Sequence, residues 1–368
     1  NFFNSSAVKF VGSQGKAGKV PRLFTGEHEN SNVCIYEVRA LSKKRVIKVV
    51  SKVSLSEMKT IVTGGAGFIG SHLVDQLLKD GHKVVSLDNY STGKKENEQK
   101  GCKYFDVDLR LTKDYSFFMD NPDVIFHIAA LPRIQPSFEA PSITFNSNVV
   151  STQNICEWAR TNGNIPVVYA GSSSIHGDKY ANPYTFTKWL GEEVCKMYSN
   201  IFKLPVTICR FYNVYGHHQA SDGAYCNVLG IFERQYKNGE PLTITGDGEQ
   251  RRDFTNVEDI VDGLIRVSNR LTLFKGGHIV GEEFEFGNGK NYSINELVEG
   301  FGKEYPKEYI PKWEGEVRES LCVDTKSRKE LGWTADISLE EGVRGVVRWV
   351  EEYWEEIKAQ PLEYIHKP

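Results

Sequence analysis

The stretch NPYTFTKWLGEE, residues 182–193, sets Tyr184 and Lys188 four positions apart with a proline directly ahead of the tyrosine. Proline suits the first turn of a helix and residues four apart share a helix face, so the two side chains are expected to point the same way. A free tyrosine, with a pKa near about 10, stays protonated at neutral pH. An adjacent ammonium favours the phenolate, a tenfold gain in its population being worth about 1.4 kcal/mol, and a phenolate can take the proton of a hydroxyl while its carbon gives up hydride. Upstream, YAGSSSIHGD brings Ser172, Ser173 and Ser174 directly after an apolar run that reads as a strand, where a serine can hydrogen-bond the same hydroxyl. Tyr-x-x-x-Lys alone is a common surface pair; beside the serine run and the glycine pattern below it reads as a proton-transfer site.

Hydride needs an acceptor, and TGGAGFIG offers a place for one. Gly64, Gly67 and Gly70 recur every third residue between a strand-like KTIVTG and an amphipathic FIGSHLVDQLLKDG. Glycines are required where a strand turns sharply into a helix whose first N–H groups must approach a pyrophosphate, so the context makes this a dinucleotide fingerprint. Asp88 closes the next strand, 18 residues past Gly70, where a carboxylate can accept bonds from an adenosine ribose and repel a 2′-phosphate. NAD is therefore expected over NADP, with a turn or helix cap as the alternative role for Asp88. In DVDL, Asp106 or Asp108 can meet an adenine amino group, or the segment is a solvated turn.

These residues need a scaffold, and the patterning supplies it. From Lys59 onward apolar strands (KTIVTG, HKVVSLD, DVIFHIAA, PVVYAGSS) alternate with helical windows, one of them over residues 142–160, which implies a doubly wound parallel sheet covered on both faces. We expect an N-terminal extension over 1–57, a Rossmann-type dinucleotide-binding domain over 58–211, and a smaller α/β substrate-binding portion over 212–368 with segments returning to the first domain. The extension carries one strand-like run, RVIKVV, and a basic SKKRVIKVVSK that is better read as a solvated face than as a nucleic-acid contact; no function is assigned to it. Past residue 211 the order is less regular, ending in a helix with Val343, Val346, Val347, Val350, Tyr353, Trp354 and Ile357 at core spacing.

Of the 368 residues 25% are charged, and the formal net charge of −3 gives no bulk attraction for nucleic acid or anionic membrane, so an anionic ligand must be held locally. Seven cysteines without a C-x-x-C pair suggest free thiols in a reducing compartment, and no apolar run approaches a membrane span, so a cytoplasmic protein is expected. His217 and His218 have no second ligand cluster at usable spacing, which leaves no metal site in view, and His127 reads as structural.

Taken together, TGGAGFIGSHLV, DNYSTG, FHIAA, YAGSSSIHGD, PYTFTK, RFYNVYG and GDGEQRRDFTNVEDI resemble the extended short-chain dehydrogenase/reductase superfamily, in its nucleotide-sugar epimerase/dehydratase branch. The match runs in the family's order from Lys59 into the C-terminal region. The resemblance implies that NAD is held by Gly64, Gly67, Phe68, Ile69, Gly70, Asp88, Asn89, Asp108, Leu109, Ala129, Ala130, Asn148, Tyr184 and Lys188. It implies a catalytic set of Ser172, Tyr184 and Lys188, and a nucleotide sugar met by Ser172, Ser173, Ser174, Asn213 and Arg252. A planar guanidinium at Arg252 suits a diphosphate, against the alternative of an Arg–Asp pair inside RRDF.

Related dehydratases carry a glutamate at the position of Ser174 and some an aspartate at Ser173, acids that elimination of water needs. Serines there favour oxidation, turning of the keto sugar and return of the hydride, which is epimerisation, and a UDP-sugar 4-epimerase is the leading expectation. A dehydratase, a net reductase or a noncatalytic NAD-binding sensor are the alternatives. The chain departs from the family at His176, where tyrosine is usual, in the short KYAN between Asp178 and Pro183, and at Trp313, where an arginine for diphosphate often stands, so that either Arg318 substitutes or the nucleotide sits differently. A homodimer through helices near residues 143–163 and 184–200 is implied by the resemblance.

Overall fold

A computed structural model describes residues 57–220, 226–273, 277–313 and 316–352, together with two short strands ahead of them. The chain divides into two units, Asn1–Ser56 and Glu57–Pro368. In the first, Val33–Ile35 pairs antiparallel with Lys52–Ser54. The strand read at RVIKVV lies outside the described residues, as do all but the last residue of SKKRVIKVVSK, Tyr353, Trp354 and Ile357 of the closing helix, and the side chain of Val350.

In the second unit the strands β1 (Lys59–Thr63), β2 (Lys83–Asp88), β3 (Lys103–Asp106), β4 (Val124–His127), β5 (Val167–Ser172), β6 (Val206–Phe211) and β7 (Glu283–Phe286) build one sheet. Its order is β7-β6-β5-β4-β1-β2-β3 with every pair parallel, so the expected doubly wound sheet is present and its order reverses between β1 and β4. Strands β4, β5 and β6 are buried at every residue, as continuous apolar runs require when helices cover both faces.

Among the helices are α1 (Phe68–Lys79), α2 (Ser151–Thr161), α3 (Pro183–Phe202), α4 (Val228–Asn238), α5 (Val257–Leu273), α6 (Ile294–Glu299) and α7 (Leu339–Glu352). Leu73 and Leu77 of α1 share one core with Ile260, Leu264 and Val267 of α5. Ile155 and Trp158 of α2 share a second core with Cys195 and Tyr198 of α3. The chain thus returns to the sheet after residue 211, through α5 and β7, because VEDIVDGLIRV carries an apolar stripe fit to cover it. A third core, around Tyr215, Phe232, Ile244, Phe254 and Leu297, joins α4, α6 and α7 to a small parallel pair, Leu242–Thr245 with Lys307–Ile310.

The short KYAN loop delivers α3 directly. Asn182 caps that helix, its side chain accepting from Thr185 N–H at 2.8 Å, Pro183 fills the first turn, and Lys203 at φ +59° ends it. His127 bridges Thr63 Oγ1 at 2.8 Å and Thr152 Oγ1 at 3.0 Å, and burial lowers its pKa to about 3, which fits its structural reading. His217 and His218 pack on Trp349, and His218 Nδ1 lies 3.1 Å from Ser71 Oγ.

Candidate active site

The C-terminal edge of the sheet opens into a cleft of about 1760 Å³, walled by residues just beyond β1, β2, β4, β5 and β6 and by the C-terminal layer. Open α/β sheets bind ligands in this crevice. At one end Gly64 turns with φ +73°, and a Cβ there would lie 2.9 Å from the Ala129 backbone. A Cβ on Gly70 would lie 2.0 Å from the Gly64 carbonyl oxygen, so α1 can approach the turn only without one. Gly67 is the N-cap of α1, and Gly67, Phe68, Ile69 and Gly70 line the cleft, leaving the first N–H groups of the helix to a ligand anion.

Asp88 serves the turn as well as the cleft. Its two oxygens accept from Ala66 N–H and Tyr90 N–H, each at 2.9 Å, while burial raises its pKa. Each carboxylate oxygen can accept a further bond, and Asp88 and Asn89 both face the cleft. Leu109, Ala129 and Ala130 line it too. Asp108 also lines it, but Arg110 binds it through Nε–Oδ1 at 2.9 Å and Nη2–Oδ2 at 2.6 Å, holding its carboxyl below the ordinary range. Asn148 is not among the lining residues. Its Oδ1 accepts from Leu131 N–H at 2.8 Å and its Nδ2 donates to the Leu131 carbonyl and to Thr187 Oγ1, so it ties the loop after β4 to α3.

At the middle of the cleft the Tyr184 hydroxyl donates to Ser172 Oγ at 3.3 Å, and Ser172 Oγ donates to Ser174 Oγ at 3.0 Å. Ser172, Ser173, Ser174, Tyr184 and Lys188 all line this part. Burial raises the Tyr184 pKa, and the Ser172 hydrogen bond and the charge of Arg133 lower it. Lys188, one turn after Tyr184 on α3, lines the same cleft. Its ammonium donates to the Ala170 carbonyl and stands 4.7 Å from the centre of the Tyr169 ring, and burial brings its pKa down to about 8. A buried ammonium needs such acceptors.

At the far end Arg252 pairs with Glu316 at 3.2 Å, both of them in the cleft wall. Burial lowers the Arg252 pKa and raises that of Glu316. The Arg–Asp alternative fails: Asp253 accepts instead from the N–H groups of Asn288, Gly289 and Cys322, pinning three backbone segments. Asn213 lines the cleft at φ +26°, with Nδ2 donating to Ser320 Oγ at 2.9 Å and to the Asp253 carbonyl. Arg318 pairs with Asp247 at 2.7 Å and is not among the residues lining the cleft, whereas Lys312 and Trp313 are.

Residues 60–280 match the sequence profile of the NAD dependent epimerase/dehydratase family. The chain belongs to that family. A UDP-glucose 4-epimerase of Mycolicibacterium smegmatis is 35% identical over 317 residues, covering 79% of this chain and 98% of that one. Among solved structures, UDP-glucose 4-epimerase of Thermotoga maritima with UDP-glucose superposes with a TM-score of 0.74 at 28% identity, over 81% of this chain and 100% of the other. UDP-glucuronic acid 4-epimerase of Bacillus cereus, in complex with UDP-glucuronic acid and NAD, gives 0.72 at 28% identity, over 80% and 99%. The cofactor of this NAD-dependent epimerase/dehydratase is NAD, and the glycine turn that any Cβ would fill, with an uncapped helix start beside it, fits a pyrophosphate.

Three groups at the site of this family member leave little or no trace in the sequence. Arg133, at φ +87°, lines the cleft. His176 Nε2 donates to the Glu285 carboxylate at 3.0 Å, and that contact raises the His176 pKa. Glu316 already occupies Arg252. A basic residue in AALPRIQP is the only signal for the first; the other two arise from contacts over 109 and 64 residues of chain, respectively, which spacing does not reveal.

Proposed function

We propose that the chain is a 4-epimerase of a UDP-sugar with Tyr184 as its base. The observation that carries this reading is the Tyr184 hydroxyl bonded to Ser172 Oγ at 3.3 Å, midway along a cleft with room for a dinucleotide and a nucleotide sugar. Gly64, Gly67, Phe68, Ile69 and Gly70 would hold the pyrophosphate, Asp88 and Asn89 the adenosine ribose, and Asp108 and Leu109 the adenine. Ala129, Ala130, Tyr184 and Lys188 would flank the nicotinamide end, with Asn148 bracing the loop from behind. When bound, NAD supplies a reversible acceptor for hydride. Ser172 orients the sugar hydroxyl; Tyr184 takes its proton as the carbon is oxidised and gives the proton back once the keto sugar has presented its other face. Arg252, Asn213 and Lys312 would meet the diphosphate, with Ser173 and Ser174 beside the sugar.

Serines at 173 and 174 favour return of hydride over loss of water. Dehydration is the second reading for one reason: His176, held by Glu285, lines the same cleft and can give a proton. We take the working form to be a homodimer through α2 and α3, since Ile143, Phe145, Met197 and Ile201 on and beside these helices are exposed apolar side chains. A cytosolic setting belongs to the same reading, supported by the thiol rather than disulfide form of Cys102, Cys156, Cys195, Cys209, Cys226 and Cys322; no helix among the described residues is long and apolar enough to cross a membrane. Incubating the protein as purified with UDP-, GDP-, CDP- and dTDP-sugars, followed by NMR and NADH absorbance, tests the reading. A 4-epimer without net NADH is expected; a 4-keto-6-deoxy product or net NADH would overturn it.

A further inference from the structure

The turn Ser173–His176, which directly follows β5 and carries Ser174, ends on a histidine. The His176 side chain is 49% exposed and lines the cleft, its ring stacked on that of Tyr212 with centres 6.3 Å apart. Nε2 donates to Glu285 Oε1 at 3.0 Å, and Nδ1 has no partner among the described residues. Glu285 is buried; its Oε1 also accepts from Arg210 Nη1 at 2.9 Å, while its Oε2 is left without a hydrogen bond. The same guanidinium answers Glu192 at 2.7 Å and Glu283 at 3.1 Å. Lys196 relieves Glu283 at 2.5 Å, so Glu285 is the carboxylate left to His176. A buried carboxylate short of partners is costly unless another charge comes to it. The imidazole is placed to bring that charge, which makes Nδ1 a second donor on a half-exposed ring in the cleft wall.

We propose that His176 is a specificity-determining residue for the nucleotide sugar: held as an imidazolium by Glu285, it donates through Nδ1 to an oxygen of the sugar and takes a carboxylate there more tightly than a hydroxyl. This rests on the nucleotide-sugar reading of the cleft. The preference follows from the donor, because a charged N–H makes a bond about twice as strong as a neutral one, most of all to an anionic oxygen. The groups that face the ring are Glu285 from β7, Arg210 from β6, Tyr212 just after β6, and Glu192 from α3. The Glu285 hydrogen bond raises the His176 pKa, burial and Arg210 lower it, Glu192 adds to the rise, and the balance lies above the ordinary 6.5. The donor is therefore complete below that raised pKa and is lost as pH rises through it. Tyr184 stays the base, so the charge on His176 sets how tightly the sugar binds rather than how fast it turns over.

The test is the pH dependence of KM and kcat for UDP-glucose and UDP-glucuronate with the protein as purified. Between about pH 6 and about pH 9 the KM for UDP-glucuronate is expected to rise about tenfold and that for UDP-glucose about threefold, without a matching fall in kcat. His176→Gln should flatten both KM profiles and raise KM at about pH 6 with a smaller change in kcat. Glu285→Gln should bring the rise in KM to lower pH, because the ring loses the carboxylate that holds its proton. NMR of ring-labelled histidine reads the same contact without turnover: the His176 signal, assigned by its absence from His176→Gln, should titrate at higher pH with UDP-glucuronate than with UDP alone. Melting temperature and NAD content identify a misfolded variant; should Glu285→Gln be one, His176→Gln, at a half-exposed position, decides alone. KM profiles that persist unchanged in His176→Gln, or a His176 titration that UDP and UDP-glucuronate move alike, overturn the proposal. If the protein turns over no nucleotide sugar the epimerase reading fails separately, while the titration still answers for His176.

Discussion

The two ends of the cleft are built on different principles. At the dinucleotide end the backbone does the shaping: Gly64 and Gly70 are needed because a Cβ would collide with main-chain atoms 2.9 and 2.0 Å away. At the other end the shaping falls to charged side chains that answer one another: Arg252 with Glu316, and Arg210 with Glu192 and Glu285 below the His176 contact. A backbone requirement tolerates no substitution, whereas a set of ion pairs can be rearranged to take a new ligand. The contrast fits a family in which a common cofactor meets different sugars.

Substitutions should expose that contrast. Tyr184→Phe, between the two ends, should lower turnover by about 10²–10⁴-fold with NAD retained, as measured by product NMR and by nucleotide released on denaturation. Gly70→Ala should cost about 3 kcal/mol of stability, read by denaturant melts, and empty the protein of NAD. At the other end the effect should be mild and of opposite sign. On the proposed reading a diphosphate displaces Glu316 from Arg252, so Glu316→Gln should lower KM about fivefold, the equivalent of about 1 kcal/mol, in steady-state kinetics. A higher KM would mean that Glu316 helps the ligand rather than competing with it, and would break the comparison.

The smallest effect lies away from both ends, in the third core. Glu233 accepts from Gln219 at 3.1 Å, and burial raises its pKa from 4.5 to about 8. Its folded-state pKa is raised above the unfolded value, so the protonated carboxyl favours folding at low pH and that contribution is lost as pH rises toward about 8. Glu233→Gln should therefore raise the melting temperature more at about pH 9 than at about pH 6, and an equal gain at both would place the charge elsewhere.

Legibility in the sequence follows the same division. The alternating strands and helices, the glycine turn and Asp88 at the end of β2 are readable because each depends on local geometry: a period, a positive φ, a strand terminus. Ser172 with Tyr184 is readable for the same reason, one at a strand end and the other in the first turn of α3. What spacing does not carry is the partner a side chain takes: Lys188 donates to the Ala170 carbonyl, Asp108 accepts from Arg110, Asn148 bonds Leu131 and Thr187, and Arg318 pairs with Asp247. Arg252 stands in the cleft wall as its place in RRDF implies, yet its Glu316 partner, 64 residues away in sequence, leaves no mark that a pattern could find.

What most needs testing is that Tyr184 and Ser172 run a redox-neutral turnover at one carbon. UDP-glucose deuterated at C4, incubated in ordinary water with the protein as purified, tests this most directly by NMR. UDP-galactose that keeps its deuterium at C4, formed without NADH and absent in Tyr184→Phe, is the predicted product. A C4-deuterated substrate that loses its label to water, or that gives a keto product in place of the epimer, would contradict it.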